Sequence, residues 1–137
     1  MDNMAQQMME MHTKDMPMMG MDMMMMQECI EACSAMEQAT VMCADAMMMG
    51  EDMMKCRSMC MNGADMANTM THMMMRPMGM HRESMMAMMS AMVMMATACA
   101  DECMMHADMS EECKMCAEVC RQAAMTCQKM MDSMSMA

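Results

Sequence analysis

Leu, Trp, Tyr and Phe are all missing from the 137 residues, and beyond Ala the only aliphatics are Ile30, Val41, Val93 and Val119. Leu is ordinarily among the commonest residues of a soluble domain. Positive charge is scarce: eight Lys and Arg stand against nineteen Asp and Glu, a net charge of -11. The eight are scattered, which argues against the clustered basic surface that nucleic-acid phosphates require, so no nucleic-acid partner is expected. Long apolar runs are missing too: Met23 to Met26 is far too short to cross a bilayer, and no membrane partner is expected. The opening MDNMAQQMMEMH carries acids and amides where a secretory leader has a basic and then an apolar segment. No Gly-rich phosphate loop appears and no strand pattern competes with a helical reading, so an enzyme is not expected.

What is there is sulfur. Met supplies 45 residues and Cys 11, and we read the chain as engineered, with Met written over nearly every Leu and aromatic position of a parent. An odd number of cysteines, most of them on helical stripes, fits poorly with a secreted disulfide framework and points to a reducing, cytoplasmic setting. Met occurs on every helical face, so the Met pattern by itself defines no apolar stripe. The stripes are drawn by Cys, small residues and the absence of charge.

The clearest stripe runs from Met109 through Cys113, Cys116, Cys120, Ala123, Cys127 and Met130 to Met134, at alternating steps of four and three. That is a heptad seam on one helix. Three further seams precede it. One is Met26, Cys29, Cys33, Met36, Thr40, Cys43 and Met47; the next is Met53, Cys56, Cys60, Gly63, Ala67, Met70 and Met74. The third is Met85, Met88, Met92, Met95, Cys99, Cys103 and His106. Glu28, Arg57, Glu102, Glu112 and Arg121 lie off the seams.

Asp22 is a suitable N-cap and Gly50 a suitable residue past a helix end; Pro77 disfavours helix in the residue before it, and Asp108 with Glu111 resembles a capping arrangement. The spacing therefore predicts helices over about 22–49, 51–75, 82–107 and 109–133 within a domain spanning 22–137. An all-α, antiparallel, up-down-up-down four-helix bundle follows from the short connections. Residues 1–21 read as a Met-rich arm, with Met1, Met4, Met8 and Met11 at helical spacing before Pro17 and Gly20.

With a rise of about 1.5 Å per residue, Cys43, Cys56, Cys60, Cys99, Cys103, Cys113, Cys116 and Cys120 fall in the upper part of the bundle. Cys29, Cys33 and Cys127 form a smaller group below. Cys29 with Cys33, Cys56 with Cys60, Cys99 with Cys103 and Cys116 with Cys120 are each four residues apart, so their sulfurs share one face and can reach one ion. Two thiolates near a line suit Cu(I), whereas zinc usually takes four ligands in a tetrahedron. One Cu(I) per thiol also leaves a dry core uncharged, because each ion replaces one proton. A structural thiol core, zinc and an iron–sulfur cluster are the alternatives at this point. His106, at the upper end, joins the eleven cysteines as a candidate ligand; His72 and His81 read as surface residues.

The segments QECIEAC (27–33), ADEC (100–103) and CKMCAEVC (113–120) resemble the cytosolic copper storage proteins, and the likeness covers about residues 22–133. It implies a four-helix bundle that holds multiple Cu(I) ions on bridging thiolates and assembles as a homo-oligomer, often a tetramer. Met36, Thr40, Gly63, Ala67, Met70, Met92 and Ala123 stand where that family often has Cys, which implies a reduced capacity. The competing reading is a structural test protein that keeps the fold on a Met alphabet, with incidental copper binding; Leu to Met conserves volume well enough for that. A third is a redox sink of Met and Cys. A flexible Met core is expected to be soft until Cu(I) tightens it.

Overall fold

The computed structural model describes residues 3–14, 22–46 and 51–135, with the side chains of 51 and 52 left aside. Five helices are present among them: α1 (Asn3–Thr13), α2 (Met23–Ala46), α3 (Glu51–Met74), α4 (Arg82–Met104) and α5 (Glu111–Ser135), with a single 3-10 turn at Pro77–Gly79. Helices α2 to α5 form the up-down-up-down bundle, in which α2 packs on α3 and α5, and α4 on the same two neighbours. The expected helix stop at Gly50 lies outside the described residues, as do Met1, Pro17, Gly20 and Met47.

Local chemistry sets the ends. Asp22 caps α2, its carboxylate accepting from Met24 N at 2.7 Å and Met25 N at 3.2 Å. Pro77 keeps Arg76 out of helical geometry (φ -122, ψ 58), and α3 stops just before it. His81 caps α4, accepting from Ser84 N. At the far end α4 closes at Met104, short of the expected 107, because the chain tightens there: Met105 N, His106 N and Ala107 N each bond the carbonyl three residues back. Helix α5 is capped by Ser110, whose hydroxyl accepts from Cys113 N at 3.2 Å, so the expected Asp108 cap is displaced by two residues. Across the lower end, Arg82 Nη2 donates to the Met134 carbonyl and ties the start of α4 to the close of α5.

The core is almost entirely sulfur and Ala, and three seams appear with the expected phase. On α2, Met26, Cys29, Cys33, Met36, Thr40 and Cys43 are buried; on α3, Cys56, Cys60, Gly63, Ala67, Met70 and Met74; on α5, every seam residue from Cys113 to Met134. Met109 is the exception on that last stripe, since it sits in the turn before α5 and is 74% exposed. Met53 is only half-buried. Helix α4 corrects the expectation more strongly: its buried stripe is Met85, Met89, Met92, Ala96, Cys99 and Cys103, while Met88 and Met95 are half-buried. Steps of three and four back from Cys99 admit both phases, and with Met at 88, 89 and 95 hydrophobicity does not choose between them.

By length and apolarity α4 would also qualify to cross a bilayer, although it holds no long unbroken apolar run. It is one of the four staves here, and its sulfur stripe faces the bundle axis. Helix α1 buries Met9 and Thr13, while Met4, Met8 and Met11 are exposed, so its buried face is not the one the Met spacing indicates. Thr13 Oγ1 bonds the Met9 carbonyl at 2.8 Å and lies 3.5 Å from Met23 Sδ at the start of α2.

Candidate metal centre

All eleven cysteines are buried and none forms a disulfide. Four helices bring them onto one axis in the two groups that the spacing indicates. In the upper group, the sulfurs of Cys43, Cys60, Cys103 and Cys116 lie within 4.8 Å of one another, one from each stave, and directly below them Cys99, Cys116 and Cys120 do the same. Cys56 reaches this group through Cys103 at 3.7 Å, and Cys113 reaches it through Cys43 at 3.8 Å. Cys60 lies 3.6 Å from Cys103 and 3.8 Å from Cys99. The lower group is a trio, with Cys127 Sγ 3.2 Å from Cys29 Sγ and 3.6 Å from Cys33 Sγ.

A metal–sulfur bond of about 2.3 Å places two sulfurs on opposite sides of one ion about 4.6 Å apart. Sulfurs grouped within 4.8 Å thus need only small rotations to take up ions between them. The same distances would also admit a tetrathiolate zinc site, so distance alone does not choose the metal. Charge does: a four-thiolate zinc centre carries two uncompensated negative charges, and no Lys or Arg is buried among the described residues to answer them. A Cu(I)–thiolate array filled ion for thiol is neutral.

Hydrogen bonding ranks the thiols. Cys127, between Cys29 and Cys33, is held down to about 4 because both neighbours donate S–H to its thiolate. Cys29 and Cys33 are raised, first by their bonds to Cys127 and further by burial. In the upper group Cys103 is held at about 4 by S–H bonds from Cys116, Cys43 and Cys60, and Cys99 is lowered as well, first by its bond from Cys103 and then by that from Cys116. Cys60 and Cys116 are raised in turn, foremost by Cys103. At the rim, burial raises Cys56 and Cys113.

A pH dependence follows. An ion replaces a proton on a raised thiol at neutral pH, so acid competes with it; the lowered thiols are Cys43, Cys99, Cys103 and Cys127, and on the last two acid competes only as pH falls toward about 4. Lowering the pH of the loaded protein from 7 to 5 is therefore expected to release most bound copper and leave a residue on Cys99, Cys103 and Cys127. Chelator-monitored release that is flat over this range would contradict it.

His106 sits in the turn after α4 and is 7% exposed, with no hydrogen bond to Nδ1 among the described residues. A buried imidazole nitrogen without a partner is an available soft-metal donor, but its ring nitrogens are not among the ligand atoms that converge within 4.8 Å in the thiol groups. His12, His72 and His81 are exposed. Glu102, which the sequence places off the seam with the surface charges, is 7% exposed and lies 3.8 Å from Lys55 of α3. No sequence signal distinguishes it from its exposed neighbour Asp101.

This architecture has relatives. A sequence profile of the copper storage proteins matches residues 22–132. The copper storage protein Ccsp of Streptomyces lividans, solved with 10 copper equivalents, is similar at 31% identity with a TM-score of 0.86, covering 94% of this chain and 98% of that one. The cytosolic copper storage protein of the same organism with five coppers is 34% identical with a TM-score of 0.76, over 79% and 92% of the two chains. A histidine-to-alanine variant of Ccsp is 34% identical with a TM-score of 0.80, over 84% and 98%. The search of curated proteins finds no match. A profile match over four-fifths of the chain, on a bundle with eleven unpaired thiols along its axis, makes this chain a member of the copper storage protein family.

Proposed function

We propose that the chain stores several Cu(I) ions on the thiolates of its bundle core. Cys43, Cys56, Cys60, Cys99, Cys103, Cys113, Cys116 and Cys120 hold the larger share, Cys29, Cys33 and Cys127 a smaller one, and His106 serves the upper end. The observation that carries this reading is the set of eleven buried, unbridged thiols in a core with no buried Lys or Arg among the described residues. Copper is the cargo, and the protein does no catalysis. The cytosolic Streptomyces relative supports the same compartment here, and the family resemblance supports a homo-oligomer, a tetramer in the first instance.

The reading requires selectivity. Equal loads of Cu(I) and Zn(II) under reducing conditions are expected to leave copper in the protein in large excess, since only copper fills the array without net charge. A predominance of zinc would overturn the proposal.

The Met-for-Leu alphabet supports the companion proposal that the chain is an engineered, Met-enriched form of the family. One observation favours a reduced capacity in it: Thr40, Gly63, Ala67 and Ala123 are buried at seam positions and carry no sulfur.

A further inference from the structure

The two thiol groups are separated by a layer with one sulfur in it. Going down the seams from Cys43, Cys60, Cys99 and Cys120, the steps of three and four reach Met36, Ala67, Ala96 and Ala123 before they reach Cys33 and Cys127. All four of these residues are fully buried. With three alanines facing it, the thioether of Met36 is the soft donor of this layer; the next sulfur down α4, the buried Met92, lies one step below Ala96, about level with Cys33. Gly63 gives that side chain its room, because a Cβ there would stand 3.1 Å from Met36 Cε and 3.7 Å from Cys99 Sγ. The Met36 methyl and the Cys99 sulfur thus flank the same gap, while on its own helix Met36 lies three residues from Cys33.

Among the described residues the lower trio is closed off from below as well. Below it the seams close on Met26, Met85 and Met134, each no more than 2% exposed. An ion that reaches Cys29, Cys33 and Cys127 from the upper group crosses this buried layer, where a bare monovalent cation is stripped of water without gaining a ligand. A neutral thioether offsets that loss without trapping the ion, since it adds a soft donor but no charge to hold the cation at rest.

On the storage reading above, we propose that Met36 passes Cu(I) between the two thiolate groups. The ion leaves a thiolate on the Cys99 side, is held by the Met36 thioether, and is taken up by the Cys33 side. The entering thiol gives up its proton and the vacated thiolate takes one, so copper stays Cu(I) and the core stays neutral. If Met36 only filled the space left by three alanines, a side chain of equal volume would serve as well. The proposal requires sulfur.

The test is anaerobic loading of the wild-type chain and of Met36→Leu with Cu(I) delivered on a weak chelator. Samples are quenched by alkylation at intervals, and each cysteine is scored for protection by mass spectrometry. In the wild type, protection of Cys29, Cys33 and Cys127 is expected to follow that of Cys103 and Cys116. In Met36→Leu the upper thiols are expected to load unchanged while the lower trio slows at least about tenfold, and Met36→Cys is expected to restore it. Lower-trio protection at the wild-type rate in Met36→Leu would overturn the relay and leave storage intact. No protected thiol in the wild type would overturn storage itself. Should Met36→Leu not fold, the methyl resonance of Met36 in the wild type, labelled at its Met methyls, is expected to shift as the lower trio loads; an unmoved resonance would overturn the relay.

Discussion

Saturation of the reduced protein with Cu(I) is expected to raise its thermal unfolding midpoint by about 25 °C. The apo core is held by Met, Ala and protonated thiols, and Met loses more rotamer freedom on burial than the Leu it stands for. Met26, Met70, Met74, Met89, Met92 and Met130 are all fully buried in the lower half of the bundle, so most of that half is packed by three-torsion side chains. Copper acts on all four staves at once, because Cys43, Cys60, Cys103 and Cys116 each come from a different helix. An ion held at a thousandfold over its dissociation constant adds about 4 kcal/mol by linkage. Two such ions give about 8 kcal/mol, and for a chain of this size each kcal/mol moves the midpoint by about 3 °C. Calorimetry of the apo and loaded forms checks the shift, and a strong Cu(I) chelator is expected to reverse it. Coincident midpoints would show that metal makes no bonds across the helices.

Replacing Cys127 is expected to cost more copper than replacing any rim thiol. Cys29 and Cys33 share one helix and meet a thiol of another helix only at Cys127, at 3.2 Å and 3.6 Å. In Cys127→Ala the trio loses its one low-lying thiolate and its only inter-helix bridge, so the loss should spread to the whole group, about three ions. Cys56→Ala is the control. Cys56 joins the upper group through Cys103 and leaves seven neighbouring thiols in place, so it should cost about one ion. Copper counted after desalting distinguishes the two, and equal losses would mean that the lower trio is not a unit.

The sequence reveals this site so well because Cys, Ala and charge segregate on α5. From Cys113 to Met134 every expected seam residue is buried, while Glu118, Arg121 and Gln122 remain outside. Thiols one or two heptads apart fix a helix's phase on α5 (Cys113, Cys120, Cys127) and on α2 (Cys29, Cys43), and on α3 the small residues Gly63 and Ala67 carry the line of Cys56 and Cys60 downward. Helix α4 has Cys only in its upper half. Below Ala96 it offers Met at 85, 86, 88, 89, 92, 94 and 95, and a residue that is equally apolar on every face holds no phase information. The register there is set by what α3 and α5 present across the interface. Capping at the start of α5 is hidden for a similar reason: Asp108 and Ser110 are both good caps, and the tight turn at 105–109 decides between them. Burial of Glu102 beside Lys55 is a tertiary fact, since the pair joins two helices and leaves no pattern along either. The split of the thiols into eight and three is legible from spacing alone, but the role of Met36 needs the gap above Gly63 to be seen.

The central claim is that the thiol axis is a copper store, and anaerobic titration of the fully reduced protein with Cu(I) against a competing chelator, with free thiols counted at each point, tests it most directly. The account requires tight uptake that approaches one ion per cysteine and consumes all 11 thiols. Uptake that stops at one or two ions, with most thiols still reactive, would mean that the bundle kept its fold without its function.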